Sequence, residues 1–127
     1  MVDFHQSGNI ATLHDLRTRS QDEMTNELET FAQTRKMSLI LPCLYSELAT
    51  DAMPRILSEL SKVTYLHRII IGLDRANEAE FRHARNFFEG LNQNHIVIWN
   101  DSPRMLALGQ RLGAMGLAPS EQGKGKN

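Results

Sequence analysis

Residues 38–57, SLILPCLYSELATDAMPRIL, begin as an apolar run and continue as an amphipathic helix. The run up to Leu41 is rich in leucine and isoleucine, as is typical of a strand buried in a parallel sheet. Pro42 interrupts it, a polar stretch that contains Glu47 follows, and apolar residues recur at helical spacing from Met53 onwards. The segment therefore predicts a strand, a loop that presents polar side chains, and a helix.

Two later segments repeat this alternation. RIIIGLD (68–74) and HIVIWND (95–101) are each followed by a helical pattern. Asn77 and Ser102 are suited to cap these two helices, because their side-chain oxygens accept backbone N–H hydrogen bonds. The order βαβαβα predicts an α/β fold: a Rossmann-like parallel half-sheet with helices over both of its faces.

The segment before the first strand has a different pattern. Its apolar residues recur at a discontinuous helical spacing: Ile10, Leu13, Leu16, Met24, Leu28 and Phe31. Ser20 followed by Glu23 has the spacing of a capping box, which marks the start of a helix. We expect one or two N-terminal helices in a helical segment, 1–36, followed by an α/β half-domain, 37–127.

The composition excludes several classes of protein. The 127 residues suffice for one compact domain, and a net charge of -1 without a basic block argues against a nucleic-acid binder. The single cysteine, Cys43, excludes an internal disulfide and fits a reducing compartment. No run of about 18 apolar residues and no signal-peptide pattern occur. We therefore expect a cytoplasmic protein without a membrane span.

Carboxylates follow all three predicted strands. Glu47, Asp74 and Asp101 lie where open α/β sheets bind ligands, outside the carboxyl ends of the strands. A carboxylate accepts hydrogen bonds from ribose hydroxyls or from the N–H of a base, but Asp and Asn also cap helices and form turns. Both interpretations stay open for each residue, although three carboxylates at one edge favour a binding site. In the tail, GKG (123–125) has glycines and a lysine of the kind that bind a phosphate. The alternative interpretation is that this segment is simply a polar C-terminus.

Four stretches resemble a known family: LPCLYSEL (41–48), GLDRANEAEF (72–81), WNDSPR (99–104) and GKGKN (123–127). Their order and spacing, over residues 38–127, are similar to those of the N-terminal half of nucleotide-sugar glycosyltransferases with the GT-A fold. Within that fold the chain looks most like the glucosyl-3-phosphoglycerate synthase group. The resemblance implies transfer of a hexose from a nucleotide-diphosphate sugar to an acceptor hydroxyl, that of 3-phosphoglycerate in this group, with retention at the anomeric carbon.

The resemblance also implies roles for residues. Those expected to contact the uracil and ribose of the donor are Pro42, Leu44, Tyr45 and Glu47. Those expected near the base or at the same pocket are Asp74, Asn100 and Asp101. The segment expected to close over the donor is Gly123, Lys124 and Gly125, with the lysine near the pyrophosphate. No catalytic residue is assigned.

The sequence departs from the family in one motif. Enzymes of this group hold Mg²⁺ or Mn²⁺ with an Asp-x-Asp-like motif on a later strand, and this chain has none. The chain ends just after the GKG segment, so we expect it to be the N-terminal portion of a longer transferase. Whether this chain has enzymatic activity by itself stays open. The alternatives are a non-catalytic α/β nucleotide-binding module and a homo-oligomer formed through an unpaired sheet edge.

Overall fold

The computed structural model describes residues 19–117, which form four α-helices and three strands. In chain order they are α1 (Gln21–Thr34), β1 (Met37–Leu44), a 3-10 helix (Tyr45–Ala49), α2 (Ala52–Ser61), β2 (Leu66–Asp74), α3 (Glu78–Phe88), β3 (His95–Trp99) and α4 (Pro103–Ala114). The βαβαβα order after α1 confirms the predicted α/β class. The predicted helical pattern at Ile10, Leu13 and Leu16 lies outside the described residues. Within 19–117, no helix is both long and apolar enough to cross a membrane.

The three strands form one parallel sheet in the order β1-β2-β3. The register places Leu44 of β1 opposite Asp74 of β2, and Leu73 of β2 opposite Trp99 of β3. All three strands therefore end at the same edge of the sheet. The loops that follow them carry the predicted site residues, so the register alone brings these loops together.

The hydrophobic core lies on one face of the sheet. Ile69, Ile71 and Leu73 of β2 are completely buried, and they share a cluster with Met53 of α2 and Phe88 of α3. Both helices therefore pack on the same face. The reason is topological: β1, β2 and β3 are successive neighbours, and right-handed crossovers taken in one direction place their helices on one side.

The opposite face carries four isoleucines, Ile40, Ile70, Ile96 and Ile98, and we call it the isoleucine face. Ile40, Ile70 and Ile96 lie side by side on the three strands. Ile40 is 69% exposed, Ile96 45% and Ile98 38%. The prediction that helices cover both faces is therefore wrong for the described residues. Apolar strands indicated two buried faces, but the handedness of the crossovers allows α2 and α3 to cover only one.

Residue contacts divide the chain into two units, Met1–Arg35 and Lys36–Asn127. Helix α1 lies in the first unit, and the sheet with its helices lies in the second. The division into a helical segment, 1–36, and a nucleotide-sugar-binding half-domain, 37–127, stays a prediction.

Helix caps follow the sequence at three of the four α-helices. Ser20 and Glu23 form the capping box of α1, Asn77 and Glu80 that of α3, and the Ser102 side chain accepts the Met105 N–H at α4. Helix α2 differs, because Asp51 stands at the N-cap position without a side-chain hydrogen bond. The preceding residue, Thr50, does not supply a cap either, because its hydroxyl donates to the Glu47 carbonyl.

Replacing the N-cap residue of α3 by alanine should therefore lower the free energy of unfolding, whereas the same replacement at α2 should not. In Asn77→Ala, the Glu80 N–H loses its acceptor, and we expect the free energy of unfolding to fall by about 1 kcal/mol. Asp51→Ala is the matched control and should change it by less than about 0.5 kcal/mol, because no side-chain cap bond is lost. Urea unfolding followed by circular dichroism measures both. Equal losses in the two variants would contradict this account.

Candidate functional site

The end of β1 and the 3-10 helix hold the first group of predicted site residues. Pro42 and Leu44 are in β1, opposite Gly72 and Asp74 of β2. Proline lacks a backbone N–H, which an edge strand tolerates because one side of the strand has no ladder partner. Pro42 is exposed and Leu44 half-buried at the carboxyl edge of the sheet. Both therefore stand at the rim where the resemblance places the donor.

Glu47 bends the chain as it leaves β1. Its Oε2 accepts the Leu44 N–H at 2.9 Å, and the Thr50 N–H donates to the Glu47 carbonyl at 3.1 Å. The N–H groups that open a helix have no partner within it, so a carboxylate three residues on can satisfy one of them. The half-buried Glu47 carboxylate thus has a structural role at this turn.

Tyr45 joins the 3-10 helix to α3. Its hydroxyl lies 3.2 Å from His83 Nδ1, and the two rings meet edge to face with centroids 5.9 Å apart. An aromatic ring held in this way loses few rotamers on binding a flat base. Tyr45 therefore contacts the helix layer that covers the core, and sequence reasoning did not identify His83 as its partner.

Asp74 and Asn100 form a pair at the centre of the edge. Asn100 Nδ2 donates to Asp74 Oδ1 at 2.9 Å, and the Asn100 N–H donates to the Leu73 carbonyl at 3.0 Å, continuing the β2–β3 ladder. A side-chain carbon on Gly72 would lie 3.5 Å from Asn100 Nδ2, so the pair sits directly beside this glycine. Both members are half-buried. The sequence placed the two residues at one edge, and the register makes them partners.

Asp101 and Trp99 hold the loop between β2 and α3. Asp101 Oδ2 accepts the Ala76 N–H at 3.0 Å, and Trp99 Nε1 donates to the Ala76 carbonyl at 2.7 Å. The residue before Ala76, Arg75, has a φ of 55°, in the left-handed region that non-glycine residues adopt rarely. The two hydrogen bonds to Ala76 help to hold that conformation. Nothing in the sequence signals it, because an arginine gives no indication of a positive φ.

The edge can accept hydrogen bonds from a ligand even though its carboxylates have internal partners. In the part of the chain described here, hydrogen bonds engage one oxygen of Asp74 and one of Asp101. A carboxylate has about four lone-pair positions, so each retains acceptor capacity. The capping and turn interpretation therefore holds for Glu47 and Asp101, and it does not exclude a ligand. The predicted Gly123, Lys124 and Gly125 lie outside the described residues.

The described residues do not supply a metal site. Between residues 19 and 117, no three His, Cys, Asp or Glu side chains come together as ligands would. Ca²⁺, Mg²⁺ and Mn²⁺ prefer several oxygen ligands, and the acidic residues at the edge are tied to separate backbone or amide donors. The described residues therefore do not fit the metal ion that the resemblance implies.

Comparison with known proteins finds two curated relatives that share one name. No family model and no solved structure matches the chain. It is 44% identical over 127 residues to a glucosyl-3-phosphoglycerate synthase of Persephonella marina, and 31% identical over 127 residues to one of Methanococcoides burtonii. The alignments include 100% and 99% of this chain but 32% and 31% of the relatives. The chain thus spans about a third of the length of these curated relatives, and the resemblance stated from its motifs is confirmed.

Proposed function

We propose that this chain, similar along its whole length to a third of two glucosyl-3-phosphoglycerate synthases, is a donor-binding part of a glycosyltransferase. It would hold a nucleotide-diphosphate sugar at the carboxyl edge of the sheet. The activity of the whole protein would be the transfer of a hexose to an acceptor hydroxyl, that of 3-phosphoglycerate if it acts as the relatives are named. The observation that carries the proposal is the 44% identity over all 127 residues.

The Asp74–Asn100 pair gives this proposal a physical basis. Asn100 fixes the Asp74 carboxylate through Oδ1, which leaves the other oxygen to accept a base N–H or a ribose hydroxyl. A carboxylate already oriented by a neighbour loses little conformational freedom when a ligand binds. Glu47 and Tyr45 would form the adjacent wall, each fixed by its own contact. In such a site the protein contributes by positioning the donor for attack.

The segments not described here would complete the site. The resemblance assigns Gly123, Lys124 and Gly125 to the donor pyrophosphate, where the lysine charge would oppose the phosphate charge. It also implies Mg²⁺ or Mn²⁺, which would stabilise the leaving diphosphate when bound. Since residues 19–117 offer no ligand group for that ion, we propose no role for them in holding it.

Calorimetric titration of the full chain tests the proposal. UDP-glucose and GDP-mannose are titrated separately, each with and without Mg²⁺, and 3-phosphoglycerate alone serves as the control ligand. We expect saturable heat for one of the two nucleotide sugars and none for the acceptor. Flat titrations with both nucleotide sugars, from a chain whose circular dichroism shows folded α/β structure, would exclude donor binding by this chain.

A further inference from the structure

Arg75 has a strained backbone at the carboxyl edge of the sheet. Its φ of 55° lies in the left-handed region, which glycine adopts readily but which costs free energy for a residue with a Cβ. Among the residues that the structure describes, Arg75 is the one non-glycine residue with a positive φ. Conformations of this kind persist only where the surroundings impose them, and they concentrate at binding and active sites. The strain therefore indicates a role for the arginine side chain that glycine would not serve.

The end of β3 imposes this conformation. Asp101 Oδ2 accepts the Ala76 N–H, and Trp99 Nε1 donates to the Ala76 carbonyl, so both backbone groups of Ala76 are fixed. Trp99 is fixed in turn, because its ring stacks on Phe81 of α3 with centroids 5.1 Å apart. Ala76 is only 6% exposed. Arg75 is therefore the residue that makes the turn from the end of β2 to this fixed position.

The Arg75 side chain is available to a ligand. It is exposed, and between residues 19 and 117 its guanidinium has no hydrogen-bond or ion-pair partner. Two carboxylates are near it in the chain: Asp74 precedes Arg75 directly, and Asp101 bonds the residue that follows it. Neither carboxylate forms an ion pair with Arg75, and both are held by other donors. The guanidinium thus keeps its N–H donors for a ligand.

An acceptor and a cation therefore stand at adjacent positions of the same edge. A nucleotide needs both, because its base and ribose donate hydrogen bonds while its phosphates accept them. A guanidinium matches two phosphate oxygens with two parallel N–H donors. We propose that Arg75 binds a phosphate of the donor while Asp74 binds the base or ribose, and that the left-handed turn keeps the two side chains from pairing with each other. This inference rests on the proposed function, and it adds a phosphate contact from the described residues.

Titration with and without the phosphates tests the role of Arg75. The nucleotide sugar that the full chain binds, UDP-glucose or GDP-mannose, is compared with the matching nucleoside, uridine or guanosine, whose affinity is measured by competition. We expect Arg75→Gln to weaken binding of the nucleotide sugar by at least about tenfold and of the nucleoside by less than about twofold, because only the phosphate contact is lost. Arg75→Lys keeps the charge without the paired donors and should lie between Arg75→Gln and the unmodified chain.

Arg111→Gln is the matched control. It removes the same charge from an exposed residue in the last turn of α4, at the opposite end of that helix from the carboxyl edge. A helix of 12 residues is about 18 Å long, which exceeds the distance over which exposed charges interact in physiological salt. Both affinities should therefore stay within about twofold of those of the unmodified chain.

Arg75→Gly separates this role from a structural one. Glycine adopts a φ of 55° without strain, and the relief of strain offsets the greater freedom of the unfolded chain. The variant should therefore melt no earlier than the unmodified chain, yet bind the nucleotide sugar at least about tenfold more weakly. An arginine with a merely structural role would not give this combination.

The outcomes distinguish this inference from the proposed function. If the unmodified chain binds a nucleotide sugar and Arg75→Gln and Arg75→Gly bind it with full affinity, Arg75 does not contact the phosphate and the inference is overturned, whereas donor binding stands. Equal weakening of the nucleotide sugar and the nucleoside overturns it in the same way. If the unmodified chain binds neither nucleotide sugar, the proposed function fails and this inference fails with it.

Discussion

Phe88→Ala should lower the free energy of unfolding by about 3–5 kcal/mol, the usual cost of deleting a fully buried aromatic ring. Phe88 has no exposed surface, and it belongs to the cluster that joins α3 to β2. Its ring also meets Phe87 edge to face, with centroids 5.4 Å apart. Small domains have a total stability of about 5–15 kcal/mol, so this single change should remove a large part of it.

Urea unfolding followed by circular dichroism measures this loss. Phe31→Ala on α1 is the matched control, because Phe31 is 47% exposed, and it should cost far less than Phe88→Ala. If Phe88→Ala does not fold at all, Phe88→Leu removes less buried surface and should give a smaller loss that can still be measured. If Phe88→Ala lowers the free energy of unfolding no more than Phe31→Ala does, then α3 does not pack on the sheet as described.

Asp74→Asn should weaken binding of the nucleotide sugar by roughly 10- to 100-fold, because hydrogen bonds to charged groups contribute about 1.5–3 kcal/mol. The substitution retains a carbonyl oxygen where Asp74 Oδ1 accepts from Asn100 Nδ2, so the pair at the edge can persist. Only the charge, and the acceptor capacity of the second oxygen, are lost. The change thus separates a ligand role of Asp74 from a structural one.

The affinity is measured by the same titration, with the nucleotide sugar that the unmodified chain binds. Glu59→Gln is the control, since it also removes one negative charge but lies in the last turn of α2, paired with Lys62 at 2.7 Å. It should leave the affinity unchanged. If Asp74→Asn binds the nucleotide sugar with full affinity and has an unchanged melting temperature, then Asp74 has a structural role at the turn and does not contact the donor.

Local features of the fold were predictable from short stretches. Ser20, Asn77 and Ser102 cap helices as expected, and Gly116 ends α4 with a φ of 70°, a conformation that costs glycine little. The strand β1 extends past Pro42 to Leu44, further than the apolar run indicated. Proline suggested an end, but at the edge of a sheet its missing N–H breaks no ladder bond.

Partners within the site were not predictable in the same way. Sequence placed Asp74, Asn100 and Asp101 after parallel strands, and such strands end at a common edge. Which of them meet depends on the register, and that choice pairs Asn100 with Asp74 and Asp101 with the Ala76 N–H. The contact of Tyr45 with His83, 38 residues apart in the chain, follows only from the packing of α3 beside the 3-10 helix.

The chain's own sequence determined the alternation of strands and helices, most of the caps, and the position of acidic residues at strand ends, because these depend on spacing and on neighbours within a few residues. The tertiary structure alone decided that α2 and α3 share one face and leave Ile40 exposed. An apolar strand is compatible with cover on either side. The strand order β1-β2-β3, a property of the assembled sheet, selects the side that is buried, because right-handed crossovers taken in one direction place both helices on the same face.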